Sequence, residues 1–208
     1  MPTTEISLDQ ILNQLRADAP SEREKGDRLE RLMLAYFKTE PLYRERFSQV
    51  WLWMDWPGRY GQPDTGIDLV AEEAATGDYC AIQCKFYDPK ATLDKQDIDS
   101  FFTASGKAEF SSRIIVSTTD YWSKHAETAL KNQRTPVTRL RVRDLAASAI
   151  NWGDVDPQRL EAMPLKAKKT PRPHQRDAVN GVIAGFQTTD RGKLIMACGT
   201  GKTYTSLF

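Results

Sequence analysis

The stretch Ala197-Cys-Gly-Thr-Gly-Lys-Thr-Tyr204 constrains this chain more than any other. Gly199, Gly201, Lys202 and Thr203, with Thr200 between the glycines, fit the end of the pattern G-x-x-x-x-G-K-[ST]. In such a loop successive backbone N–H groups wrap phosphates, the lysine reaches the outer ones, and the Ser/Thr hydroxyl holds Mg²⁺. Met196 stands where the pattern wants its first glycine, so the loop departs from the rule at one residue. A loop of this kind joins a strand to a helix. Lys193-Leu-Ile-Met196 is therefore expected to be a short buried strand, and a helix is expected from Thr203 onward.

Upstream, Thr170-Pro-Arg-Pro-His-Gln-Arg-Asp177 resembles the adenine-reading glutamine motif of superfamily 2 helicases, with Gln175 as the base reader. The order of the two motifs matches the start of a RecA-like lobe in that family. The resemblance implies a motor that, when complete, binds ATP and Mg²⁺ through Gln175, Gly199, Thr200, Gly201, Lys202 and Thr203. The chain stops at Phe208, before any acidic motif that would hold Mg²⁺ and position water. Residues 171–208 are thus expected to be the truncated start of a helicase or translocase domain, without ATPase activity of their own.

The rest of the 208 residues suffice for one ordinary domain. A hydrophobic content of 40 % with five tryptophans supports a packed core and argues against disorder. A net charge of +1 gives no global basic signal, so contact with nucleic acid must come from local patches. Cys80, Cys84 and Cys198 show no C-x-x-C pairing, which suits a reducing cytoplasm and argues against a zinc ribbon or a disulfide frame. His125 and His174 lack the Cys or acidic neighbours of a zinc site. With no membrane-length apolar run and no signal-peptide core, the expectation is a cytoplasmic protein without a membrane partner.

Ser7 with Gln10 is a capping-box start, followed by Leu8, Ile11, Leu12 and Leu15 at helical spacing. Ser21 and Glu24 repeat the signal ahead of a stripe of Leu29, Leu32, Met33, Tyr36 and Phe37 that should end near Pro41. Residues 50–54 are expected to form a strand buried on both faces, and Pro57, Gly58, Gly61, Pro63 and Gly66 mark a loop. Two strands follow, 67–72 and 79–86, joined by a turn at Thr76-Gly-Asp78. A helix carrying Ile98, Phe101 and Phe102, a strand 113–117, a helix 123–132, a strand 137–142 and a short helix 143–150 complete the order. This succession points to an α/β (α+β) sheet with helices on both faces. Residues 154–170, with Pro157, Pro164, Lys166, Lys168 and Lys169, suggest a linker that could also touch a DNA backbone.

Within the first part, Gly66-Ile-Asp-Leu-Val70 precedes Cys80-Ala-Ile-Gln-Cys-Lys-Phe86. Residues two apart on a strand share a face, so Gln83 and Lys85 point one way and Ile82, Cys84 and Phe86 the other. A lysine in a buried strand is costly without a partner or a task, and Asp68 on the neighbouring strand could supply one. An acid, an amide oxygen and a lysine converging across two strands can hold a hard divalent cation and poise a water.

This pattern resembles the PD-(D/E)xK nucleases, in the Mrr-like branch where Gln replaces the middle acid to give Q-x-K. The resemblance covers about residues 22–145. It implies a restriction-endonuclease-like mixed central sheet flanked by helices. It also implies Asp68 as principal Mg²⁺ ligand, Gln83 as a further ligand, and Lys85 steering the water and offsetting charge on the phosphate. Such families add an acid from the preceding helix, for which Glu30 is the candidate catalytic and metal-binding residue. Asp64 follows a proline but sits in a Gly/Pro loop, so Asp68 is preferred. The competing structural readings are a cross-strand ion pair for Asp68 and Lys85 and a solvated helix residue for Glu30. Trp51, Trp53 and Trp56 are expected in the core rather than stacked on bases, and Gln96 at the surface.

An Mrr-like nuclease (1–153) directly before a superfamily 2 motor resembles the N-terminal end of ATP-dependent restriction enzymes, in the layout of the single-polypeptide Type ISP family. That implies a metal-dependent endonuclease acting on double-stranded DNA with little sequence preference of its own. It further implies a translocating motor, a methyltransferase and target-recognition parts farther along the same polypeptide. A repair nuclease–helicase and a catalytically silent DNA-binding module are the other classes the residues allow.

Overall fold

A computed structural model describes residues 7–206, apart from 64, 108, 161, 162 and 169 and the side chain of Tyr204. Asp64 and Lys169 therefore lie outside the described residues. The chain divides into two units, Met1–Lys166 and Ala167–Phe208.

In the first unit, α1 (Leu8–Ala17) opens with the expected capping box: Ser7 N–H donates to Gln10 Oε1 at 2.7 Å and Gln10 N–H to Ser7 Oγ at 3.4 Å. Ser21 Oγ caps α2 (Glu22–Thr39), accepting from Glu24 N–H at 3.2 Å. The apolar stripes of both helices are buried. Pro41 does end α2, yet it also opens a further short helix, α3 (Pro41–Arg46), because proline at a first turn gives up no hydrogen bond.

Five strands form one sheet in the order β1 (Phe47–Leu52), β2 (Leu69–Glu73), β3 (Tyr79–Lys85), β4 (Phe110–Ser117), β5 (Val137–Arg141). The first three pair antiparallel as a meander, whereas β3, β4 and β5 run parallel, joined through α4 (Gln96–Ala104) and α5 (Lys124–Ala129). α6 (Val142–Ala147) follows β5 directly. One face of the sheet, with Leu69, Ile82, Ile114 and Val116, packs on α1, α2 and α6 through Ile11, Leu29, Phe37 and Leu145. The opposite face, with Val70, Ala81 and Ile115, is covered by Ile98 and Phe101 of α4, Ala126 of α5, and Trp53 and Trp56. Each of the larger aliphatic and phenylalanine side chains among these contributes about 1.5–3 kcal/mol by leaving water. The α/β architecture with helices on both faces is the one expected, and Trp53 and Trp56 are core residues.

Three details depart from expectation. β1 stops at Leu52, and Trp53–Asp55 turn into a 3-10 helix. That turn tucks the two indoles under the sheet, with Trp53 N–H donating to Asp68 O at 2.8 Å, and leaves Met54 exposed. α5 ends at Ala129, and Asn132 adopts a left-handed conformation with φ 55° that closes the turn toward β5. The first part of the suggested linker is anchored. Val155 and Met163 are buried in the α1–α2 side of the core, Ile150 bridges to Leu165, and Lys166 N–H donates to Ala149 O at 2.8 Å. Apolar side chains spaced among the prolines give this segment something to bury.

The second unit consists of α7 (Pro173–Phe186), an irregular segment and α8 (Lys202–Thr205). The expected strand at Lys193–Met196 is absent: these residues are irregular, and Ile195 is 88 % exposed. Strand hydrogen bonds need a neighbouring strand, and the described residues of this unit contain none. A groove of ≈ 950 Å³ runs along Val179, Val182, Ile183, Phe186 and Leu194.

Candidate nuclease site and phosphate loop

Asp68 stands one residue before β2, where the β2–β3 pairing ends at Leu69 and Ile82. Its N–H donates to Ile82 O at 2.9 Å, and its Oδ2 accepts Cys84 N–H at 2.6 Å. The carboxylate thus takes the place of a main-chain acceptor where the two strands part. Gln83, one residue back on β3, is buried. Its Nε2 donates to Gly66 O at 2.9 Å, while its Oε1 is buried and has no hydrogen-bond partner among the described residues. Lys85 ends β3, half-buried, and forms no salt bridge with a described residue. The structural alternative of an Asp68–Lys85 ion pair is therefore not found among those bridges.

Glu30 lies on α2, whose neighbours Leu29, Leu32 and Met33 are buried against the sheet. The Cys84 thiol reports on how these charges are arranged. Burial pushes its pKa well above the usual thiol range, the Asp68 and Glu30 carboxylates push it further in the same direction, and Lys85 pulls it back. Glu30, Asp68 and Lys85 thus all lie near enough to Cys84 of β3 for their charges to act on its thiol. Gln83 shares its strand face with Lys85.

Among the described residues no cluster of three or more His, Cys, Asp or Glu side chains could hold a metal. A cation here would rest on fewer such groups together with an amide oxygen. Hard oxygen donors, one of them buried and unpaired, suit Mg²⁺, which keeps several of its waters and takes only one or two carboxylates. Sequence reasoning overlooked Gly66 as the partner of Gln83 and Thr65, whose Oγ1 is also buried without a partner among the described residues. In the sequence the one signal for this contact is a glycine two residues before the acid, which reads equally well as a loop residue.

In the second unit Gly199 and Gly201 have φ of 77° and 79°, the left-handed conformation that favours glycine and bends the loop into α8. Lys202 and Thr203 fall in the first turn of α8. Lys202 Nζ donates to Ala197 O at 3.2 Å and to Met196 O at 3.4 Å. The buried Gln175 is bonded at both ends of its amide. Oε1 accepts Arg172 N–H at 2.9 Å, closing the N-terminus of α7, and Nε2 donates to Thr200 O at 3.0 Å. Base-reading candidate and phosphate loop are therefore joined directly.

A family model described as restriction endonuclease, of the Mrr catalytic type, matches residues 38–162. A second, described as Type III restriction enzyme, res subunit, matches residues 168–208. The solved structure of the ATP-dependent Type ISP restriction-modification enzyme LlaBIII bound to DNA is similar to 97 % of this chain, with 35 % identity and a TM-score of 0.79. This chain spans 12 % of that enzyme's length. The MspJI restriction endonuclease in complex with a 27-mer oligonucleotide aligns with 71 % of this chain and 32 % of its own, at 14 % identity and a TM-score of 0.41, too distant to carry an argument. No curated protein matches the chain. Because the restriction endonuclease model accounts for most of the chain, including the sheet and every candidate nuclease residue except Glu30, this chain belongs to the Mrr-type restriction endonuclease family.

Proposed function

We propose that residues up to Lys166 form a metal-dependent DNA endonuclease module, and that the remainder begins the ATP-driven motor of a Type ISP-like restriction enzyme. The likeness to LlaBIII over nearly the whole chain supports the restriction setting over a repair nuclease–helicase. In this reading the full polypeptide also carries the methyltransferase and target-recognition parts, and double-stranded DNA is the substrate.

The observation that carries the proposal is the pairing of Asp68, fixed on the Cys84 N–H, with the unpaired buried oxygen of Gln83 on the adjoining strand. Asp68 and Gln83 would hold Mg²⁺, with Glu30 contributing from α2. When bound, such a cation supplies Lewis-acid stabilisation of the charged phosphate and eases ionisation of water. Lys85 then places a positive charge beside the phosphate, where the water oxygen bonds to phosphorus as one phosphoester bond breaks. Nothing in this set reads bases, which suits cleavage positioned by other parts of the enzyme. In the motor, Gln175 would read adenine after releasing Thr200, and Gly199, Thr200, Gly201, Lys202 and Thr203 would wrap the phosphates of ATP.

The test is Lys85→Ala in the complete enzyme. Cleavage should fall by more than about a hundredfold, the range lost with a group that stabilises transition-state charge, while ATP-driven translocation continues. A folded variant that loses both activities equally would count against separate roles.

A further inference from the structure

Resting on that reading of the site, we infer that Gly66 is a positioning residue whose carbonyl commits the Gln83 amide to one orientation, so that position 83 requires an amide and not a carboxylate. An amide has one donating and one accepting end, and only the donating end can face a carbonyl. With Nε2 at 2.9 Å from Gly66 O, Oε1 must turn elsewhere, and there it is buried without a partner among the described residues. A buried acceptor left unpaired is destabilising and asks for an explanation. A cation, or a water bound to one, supplies it. The amide is thus divided: its donor half is used by the protein, and its acceptor half is left for the ligand.

Gly66 is itself held in place. Its φ of +85° favours glycine. A Cβ there would come within 2.8 Å of Ser100 Oγ and 3.5 Å of the Phe101 backbone nitrogen, so α4 closes directly on this residue. A side chain there would be strained by this φ and would force either Ser100 or the Gly66 backbone to shift, and a backbone shift would carry the carbonyl away from Gln83. A carboxylate at position 83 would set an accepting oxygen against the Gly66 carbonyl, where the amide now donates. The glutamine of Q-x-K in this chain is then a requirement of the site and not a weakened acid.

The test compares Gln83→Glu, Gly66→Ala and the pair Gly66→Ala with Ser100→Ala. Mn²⁺ affinity is measured on the 208-residue chain by calorimetry, and DNA cleavage in the complete enzyme. Gln83→Glu should cut cleavage by about tenfold or more without tightening Mn²⁺ binding, the range seen when a group that orients a metal ligand is lost. Gly66→Ala should weaken Mn²⁺ binding by a similar factor, and adding Ser100→Ala, which removes the clashing hydroxyl, should recover part of it. A Gln83→Glu enzyme that binds Mn²⁺ more tightly and cleaves at least as fast would overturn the inference, even if Gly66→Ala fails to fold. Lys85→Ala separates the two levels. If it abolishes cleavage while Gln83→Glu cleaves normally, only the amide requirement falls. If Lys85→Ala itself cleaves normally, the nuclease assignment falls with it.

Discussion

Asp68 holds a strand-end N–H and, in the proposed reading, a cation as well; substitution can pull the two apart. Its carboxylate accepts the Cys84 N–H at 2.6 Å. A hydrogen bond to a charged group contributes about 1.5–3 kcal/mol. Asp68 is only half-buried, so in Asp68→Ala water can partly replace the lost acceptor, and a loss reaching somewhat below that range, about 1–2 kcal/mol, is expected. For a chain of this size that lowers the melting temperature by roughly 2–8 °C. Asp68→Asn keeps an acceptor of the same shape but loses the charge, which halves such a bond, so its cost should be about 1 kcal/mol or less. Both variants should lose cleavage by more than about a hundredfold, because neither supplies a carboxylate to the cation. Circular dichroism melts of the chain, set beside cleavage by the complete enzyme, read the two effects separately. An Asp68→Asn enzyme that cleaves at the parental rate would show that the carboxylate is only a strand-end clamp.

Glu73 gives a pH prediction. Burial alone would raise its carboxyl, but hydrogen bonds from Arg46 and Ser112 outweigh this and hold it below the usual range. Its contribution is therefore complete above the unfolded value of about 4.3 and is lost as pH falls through the lower folded value. Glu73→Gln should lower the urea midpoint at pH 7 and flatten the fall below about pH 4.3; equal acid sensitivity in both chains would refute the linkage. Leu29→Ala removes a fully buried α2 side chain and should cost about 2–5 kcal/mol, so a loss below 1 kcal/mol in denaturant titration would contradict its place in the core. The 208-residue chain should neither hydrolyse ATP nor bind it with micromolar affinity, since Gln175 and Lys202 are bonded to the loop itself. Micromolar binding by calorimetry would overturn that expectation.

The elements written in local signals could be read from the sequence. Ser7 and Ser21 announce their helices through side chains that bond a neighbouring N–H, and alternation on residues 79–86 assigns Ile82 and Cys84 to one face without knowledge of the fold. The Lys193–Met196 segment shows the opposite case, because an apolar run reads as a strand whether or not a neighbouring strand exists to pair with it. The 3-10 turn at Trp53 was hidden for a related reason: Trp51, Leu52, Trp53 and Met54 are all apolar, and only the hydrogen bond to Asp68 decides where the strand ends. At the site, residue types and strand parity suggested Asp68, Gln83 and Lys85. That Asp68 bonds a backbone N–H and that Gln83 leans on Gly66 are facts of three-dimensional approach. Residues 16 or 17 positions apart have no sequence signature for such pairing.

The segment after Trp152 decides where a working nuclease domain can be cut. Ending it at residue 153 would look natural from the proline-rich composition that follows. It would also strip Val155 and Met163 from the core beside α1 and α2 and remove the Leu165 bridge to Ile150. Such a fragment would expose apolar surface in its place and be prone to aggregate, through a fault of excision and not of the active site. A chain carried through Lys166 keeps these contacts, and the division between the two compact units lies just beyond it.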